Sequence, residues 1–267
     1  MLIWRPSMIR EINAIFTLAY RDIIKFLRDR SRIIATFIFP LVFVGVLGSS
    51  LQSNLGQQAG YNLLLFSFTG VIGQTLFQST AAGIISLIED KENDFAQEIF
   101  VAPISRPTII VGKIIGESFV ALIQTVGIII FGFIVGLPLH LINFFYFIPF
   151  AVLICLLGGA FGVLVMSNLS SQRSANQIFP FIIFPQFFLG GVFSPIKNLP
   201  PVLFILSRLS PMTYAVDLTR NFLYLNNPSA SKVILHSLSL NLIITVLMFV
   251  VFIAAGTFLF VKREHER

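Results

Sequence analysis

The sequence predicts an all-α membrane protein. Six transmembrane helices follow an N-terminal interfacial amphipathic helix, and an outer re-entrant helical hairpin precedes the last span. Three observations lead there. Apolar residues make up 56% of the 267 positions and charged ones 11%, with a mean hydropathy of +0.89, whereas a soluble domain of this length carries far more charge. Apolar runs close to the ~20 residues needed to cross a bilayer recur along the chain. Lys and Arg concentrate at the ends of those runs, on one side of the membrane. The whole chain, 1–267, reads as a single membrane domain: 1–32 interfacial, 33–261 six spans, and 201–224 the re-entrant hairpin.

Residues 8–30 predict the interfacial helix. Ile12, Ile15, Phe16, Ala19, Ile23, Phe26 and Leu27 recur at helical spacing, with Arg10, Arg21, Lys25 and Arg28 mostly on the other side. The charge run is too long for a signal peptide, and no cleavage site follows a short apolar core. The spans are expected at 33–51, with Pro40 as a kink, then at 62–88, 109–137, 144–169, 178–192 and 240–261.

Orientation follows from charge. With the N-terminus in the cytoplasm, fourteen of the 18 Lys and Arg lie on that side. Only Lys197, Arg208, Arg220 and Lys232 lie on the other. Both termini are therefore expected in the cytoplasm, with the chain multi-pass in the cell's inner (plasma) membrane. An even number of crossings then requires 201–224 to dip in and return. Gly190–Gly191, Ser194–Pro195 and Pro200–Pro201 break the fifth span. Residues 202–209 are too short to cross. Ser210 and Pro211 suit the N-cap and first turn of a new helix. Asp217 and Arg220 would be neighbours on one face of it. Non-helical backbone at membrane depth survives only inside protein or beside water, so this hairpin should cap or line something.

The net charge of +6 sits beside apolar spans, so it sets orientation and does not point to nucleic acid. Thirty Phe against one Trp and five Tyr place the aromatics in packing or lipid-facing positions rather than interfacial belts. The single Cys155 rules out an internal disulfide. Gly112–Lys113 is followed by Ile114, so no phosphate-binding loop of the G-x-x-x-x-G-K-[ST] kind is present. No metal-ligand spacing and no nucleophile–base set can be read. The chain is not expected to be an enzyme, with no catalytic and no metal residues.

Four features carry functional potential. The loop at 89–107 holds the acidic cluster Glu89, Asp90, Glu92, Asp94 and Glu98, interleaved with Phe95, Ile99 and Phe100 and stopped by Pro103 and Pro107. Apolar knobs rimmed by charge suit docking to a cytoplasmic partner; a solvated connection is the alternative. The second span carries a polar stripe, Ser67, Gln74, Gln78, Ala81 and Ile85. Its amides need partners, in another helix or along a watery path. Gln177, Phe181, Phe184 and Phe188 share one side of the fifth span, either as packing or as an aromatic wall for an amphiphilic substrate. Glu117 follows Lys113 by four residues, the spacing of a structural ion pair. The small-residue pairs Gly112/Gly116, Gly132/Gly136 and Gly158/Gly162 permit close helix approach.

With that topology in place, the chain resembles the ABC-2 type permeases of ABC transporters. The acidic run from Glu89, then Phe100–Val101–Ala102–Pro103–Ile104–Ser105–Arg106 and Gly112–Lys113, is similar to that family's second cytoplasmic segment. Gly190 to Pro201 is similar to its glycine–proline stretch. Ser210–Pro211–Met212–Thr213–Tyr214–Ala215, with Asp217 and Arg220, is similar to its P-x-T-Y-x-x-D-x-x-R signature. Asn93–Asp94 stands where Gly-Thr is common. The resemblance implies an exporter of a lipophilic or amphiphilic compound, lipid or glycan. It implies pairing with a second permease copy in the lipid bilayer and with ABC ATP-binding subunits that carry the ATP and Mg. It places Phe95, Glu98, Phe100, Pro103 and Arg106 at the ATPase; the polar stripe and aromatic side read above make Gln74, Gln78, Phe181, Phe184 and Phe188 the expected substrate path. Pro211, Tyr214, Asp217 and Arg220 become an outer gate. The alternative is an ion-coupled secondary transporter or channel; the absence of internal repeats and of central charges speaks against it.

Overall fold

The structure, a computed structural model, describes residues 8–92, 104–169, 171–197 and 199–265. Among these the chain is helical throughout and has no strand.

Helix α1 (Met8–Arg28) has three faces rather than two. At 100° per residue, Ala19, Asp22 and Phe26 fall together and are buried. Ile9, Ile12, Phe16, Tyr20 and Leu27 share a second face and are exposed, as a helix lying in a membrane interface requires. Arg10, Arg21, Lys25 and Arg28 form the third. Part of the apolar stripe expected to meet lipid therefore meets protein instead.

Asp29 ends this helix and starts the next. Its carboxylate accepts from the Arg32 N–H at 2.9 Å, the bond of an N-cap. The first span is α2 (Arg30–Val42), a π-helical turn at Phe43–Gly48, and α3 (Ser49–Ala59). Pro40 lies inside α2, where it deprives the Thr36 carbonyl of a donor. The ladder widens into the π turn three residues later, so the expected kink becomes a change of helix type. Gly60, at φ +68°, closes the span in the left-handed region.

Helix α4 (Leu63–Glu92) is the centre of the bundle, and most of its length is buried. Helix α5 (Arg106–Ile134) starts on the Ser105 cap with Pro107 in its first turn. Helix α6 (Leu141–Met166), α7 (Gln172–Leu189), α8 (Pro201–Leu209), α9 (Pro211–Leu223), the short α10 (Ala230–Val233) and α11 (Leu238–His265) complete the chain.

Glycines set two of the closest packings. A Cβ on Gly116 would lie 2.9 Å from the Ala19 Cα of α1. On Gly158 and Gly162 it would meet the Phe77 and Ala81 carbonyls of α4. The third pair behaves differently. Gly132 receives the Phe68 ring, and Gly136, at φ +77°, serves the turn after α5 with open space around it.

Among the described residues five helical stretches are long and apolar enough to cross a membrane: Arg30–Ala59, Leu63–Ile88, Pro107–Ile134, Leu141–Met166 and Ala230–Leu259. The sixth expected crossing, 178–192, coincides with α7. That helix has 18 residues and contains Pro180 and Pro185, about 27 Å at 1.5 Å per residue. Its first turns carry Gln172, Arg173, Asn176 and Gln177, which lower its apolarity below that of the other five.

Candidate functional site

The polar stripe of α4 is not fully covered by its neighbours. Gln74 and Gln78, one turn apart on α4, bond to each other, Nε2 to Oε1 at 3.1 Å. They line a groove of about 300 Å³ together with Arg32, Thr36, Ser79 and Gln124. The groove lies between the first three spans, and its amides sit in the middle third of α4. Gln124 reaches across to the Thr36 hydroxyl at 3.3 Å. Gln74 is buried, and its Oε1 has no hydrogen-bond partner among the described residues. A second hollow of about 160 Å³ continues along α4, with Ile85 and Ser86 facing Asn176 and Phe179 of α7. Ala82 stands in the wall of both.

A chain of charges lies beside this groove. Arg21 pairs with Asp22 at 2.9 Å, Asp22 with Lys113 at 3.1 Å, Lys113 with Glu117 at 3.3 Å, and Glu117 with Arg32 at 3.0 Å. Lys113 is 3% exposed and both carboxylates 1%, while Arg32 is 31% exposed. The Lys113–Glu117 pair was legible from its spacing. The two α1 and α2 partners were not, because nothing local brings Asp22 or Arg32 to α5. Charges taken out of water this far must be paired. The network thus fixes α1 and the first span against the third. Gly83 of α4 leaves the space that the Glu117 carboxylate occupies.

Glu11 forms a second tie at the same end of the bundle. Its carboxylate accepts from the Ser105 N–H at 3.0 Å, the Ser105 hydroxyl at 3.1 Å and the Thr108 hydroxyl. An anion at a helix N-terminus satisfies orphan N–H groups and opposes the helix dipole. The Thr108 hydroxyl above all, then the Ser105 N–H and hydroxyl, hold this carboxyl below its ordinary value of 4.5. The tie fastens the exit of the acidic loop to α1. Phe95, Glu98, Phe100 and Pro103, which the sequence leads one to expect at a docking surface, lie outside the described residues. Arg106 is the first residue of α5.

At the far end, the hairpin residues are locked inside one subunit. Ser210 caps α9 by position, but its side chain accepts no N–H of that helix; its hydroxyl donates to Gln186 Oε1 at 3.2 Å. Pro211 is buried in the first turn. Thr213 donates to the Ser207 carbonyl at 2.6 Å, and Tyr214 to the Arg208 carbonyl at 2.9 Å. Asp217, 0% exposed, accepts from the Leu235 and His236 N–H groups at 2.8 and 2.9 Å, from His236 Nδ1 at 3.2 Å and from Asn241 Nδ2 at 2.8 Å. Arg220, 1% exposed, donates to the Gly191 carbonyl at 2.7 Å, and its guanidinium stacks 3.7 Å over the Phe66 ring. The two signature charges share a face yet do not bond to each other. Asp217 ties the hairpin to the last span, and Arg220 ties it to the second.

Phe181, Phe184 and Phe188 do not enter the groove. They face outward from α7, Phe181 at 82% exposure, while Ala175, Ile183, Gln186 and Phe187 take the packed side. The sequence-predicted path thus divides into a groove at Gln74 and Gln78 and an uncovered aromatic face. Among the described residues no group of His, Cys, Asp or Glu is arranged to hold a metal ion.

Residues 13–224 match the family model described as ABC-2 type transporter. The chain is 28% identical to the transport permease ycf38 of Cyanophora paradoxa, over 94% of this chain and 89% of that one. It is 27% identical to ycf38 of Pyropia yezoensis, over 83% and 76%. To the multidrug ABC transporter permease YbhR of Escherichia coli (strain K12) it is 28% identical, over 54% of this chain and 39% of that one.

Proposed function

The chain belongs to the ABC-2 type transporter family, the membrane subunits of ABC transporters, and from that premise we propose that it exports an amphiphilic or lipophilic substrate with energy from a separate ATP-binding subunit. The observation that carries the reading is the groove at Gln74 and Gln78. Amides left open at mid-depth of an apolar bundle cost free energy unless something uses them. The multidrug name of YbhR supports a lipophilic cargo.

In this reading α7 is a sixth crossing, short and tilted by its prolines. Both termini then lie in the cytoplasm, in a cell inner membrane. A second permease copy covers the outward aromatics of α7, so that two polar grooves face a shared path. Phe95, Glu98, Phe100, Pro103 and Arg106 meet the ATP-binding subunit, which holds ATP and Mg. Its closure pushes on the acidic loop, and the Glu11 tie and the buried charge chain pass that push to α1 and the first span as one body. The hairpin at 201–224 closes the exit. Nucleotide shifts the balance only through contacts that differ between the two states.

The test is co-purification. Phe100→Ala or Arg106→Glu should weaken capture of the ATP-binding subunit while membrane insertion is retained. Capture and transport unchanged in both variants would remove the docking assignment.

A further inference from the structure

The charge chain beside the groove ends in a cation that opens into it. Each carboxylate sits between two cations. Glu117 is shared between Arg32 and Lys113. Glu117 takes an Nη2 proton of Arg32 at 3.0 Å. Among the described residues no acceptor meets Arg32 Nε or Nη1. Among the described residues the guanidinium is the single charged side chain in the groove wall, whose remaining polar members are amides and hydroxyls. It stands at the first turn of the first span, while Pro40 lies two turns deeper on the same wall.

A planar, always-charged fork with open edges binds carboxylate or phosphate oxygens. An apolar neighbour two turns deeper suits an acyl chain. We infer that the groove takes an amphiphile with an anionic head, phosphate or carboxylate, which sits on Arg32 while its chain runs toward Pro40. This rests on the reading of the groove as the substrate path, and it names the charge of the substrate that enters. Gln74 Oε1, buried and unpartnered among the described residues, offers an acceptor to a hydroxyl or amide behind the head. A cationic or zwitterionic amphiphile would bring its positive charge against Arg32 and bind less well.

The test uses the full-length chain in a neutral maltoside detergent, with binding read by native mass spectrometry. Three probes separate head from chain: oleoyl lysophosphatidate, oleoyl lysophosphatidylcholine and glycerol 3-phosphate. Lysophosphatidate should bind about tenfold more tightly than the zwitterionic lipid of equal chain, the size of one charge-assisted contact. Glycerol 3-phosphate alone should bind far more weakly. Arg32→Gln should erase the preference, and Arg30→Gln, an exposed arginine outside the groove, should leave it. Ala82→Trp fills the groove without touching the ion pairs, and should abolish binding of both lipids even if Arg32→Gln fails to fold. Equal affinity for the two lipids, a preference that survives Arg32→Gln, or glycerol 3-phosphate binding as tightly as the lipid would each overturn the inference. No ATP enters the assay, so its failure leaves the ATP-driven reading to the co-purification test.

Discussion

Glu11 and Ser105, 94 positions apart, meet at 3.0 Å where the acidic loop enters the third span. The bond makes α1 the lateral brace of the segment assigned to the ATP-binding subunit. Glu11→Gln keeps the shape and removes the charge, so the melting midpoint in detergent should fall at neutral pH. The carboxyl is held below 4.5 in the fold, chiefly by Thr108. Its contribution is thus complete above pH 4.5 and fades as pH drops through the lowered folded value. The gap between parent and variant midpoints should be constant from pH 8 to about 5 and narrow only below that. A gap that closed between pH 7 and 6 would assign the stabilisation to another group.

Lys113 holds two buried carboxylates, and removing it takes the most buried cation from both, leaving Asp22 with Arg21 and Glu117 with Arg32. Lys113→Met should destabilise the chain by about 3–5 kcal/mol, the cost of breaking a buried ion pair from one side. Adding Asp22→Asn and Glu117→Gln removes the two under-compensated buried charges and should recover most of the loss. Thermal unfolding followed by circular dichroism reads both steps. A triple variant no better than Lys113→Met would contradict the network.

Asp217 accepts four hydrogen bonds from the connection into the last span. Asparagine in its place turns one acceptor oxygen into a donor that faces donors. Each lost bond to a charged acceptor is worth about 1.5–3 kcal/mol. Asp217→Asn should loosen residues 234–241, and hydrogen exchange of the Leu235 and His236 amides should accelerate by at least tenfold. Exchange as slow as in the parent would show that other contacts hold the connection.

These ties explain what the sequence revealed and what it did not. Breaks at Gly190–Gly191, Pro200–Pro201 and Ser210–Pro211 are local chemistry, and the helices begin and end there. The Lys113–Glu117 pair is local too. Asp22, Arg32, Glu11 and the acceptors of Arg220 join through contacts 29 to 154 positions apart in sequence, which no periodicity encodes. The stripe at Gln74 and Gln78 could be read as polar, but its opening depends on how far the first span stands from α4. Phe181, Phe184 and Phe188 shared a helical side as expected, yet which side packs was decided by Gln186 and Ser210 bonding inward.

The outward face of α7 tests the second copy. Phe184→Cys, with Cys155→Ala removing the native thiol, should form a disulfide-linked dimer under mild oxidation in membranes. Leu240→Cys, exposed on α11, should not. Cross-linking from both positions alike, or from neither, would count against α7 as the contact.

The central claim is that this subunit moves its substrate with energy it cannot release itself. The most direct measurement is ATP hydrolysis and substrate movement in proteoliposomes, for the chain alone and for the chain co-purified with its ATP-binding subunit. The account predicts no hydrolysis from the chain alone, and substrate-responsive hydrolysis with transport from the complex. Substrate movement by the chain alone, driven by a proton gradient and indifferent to ATP, would contradict it.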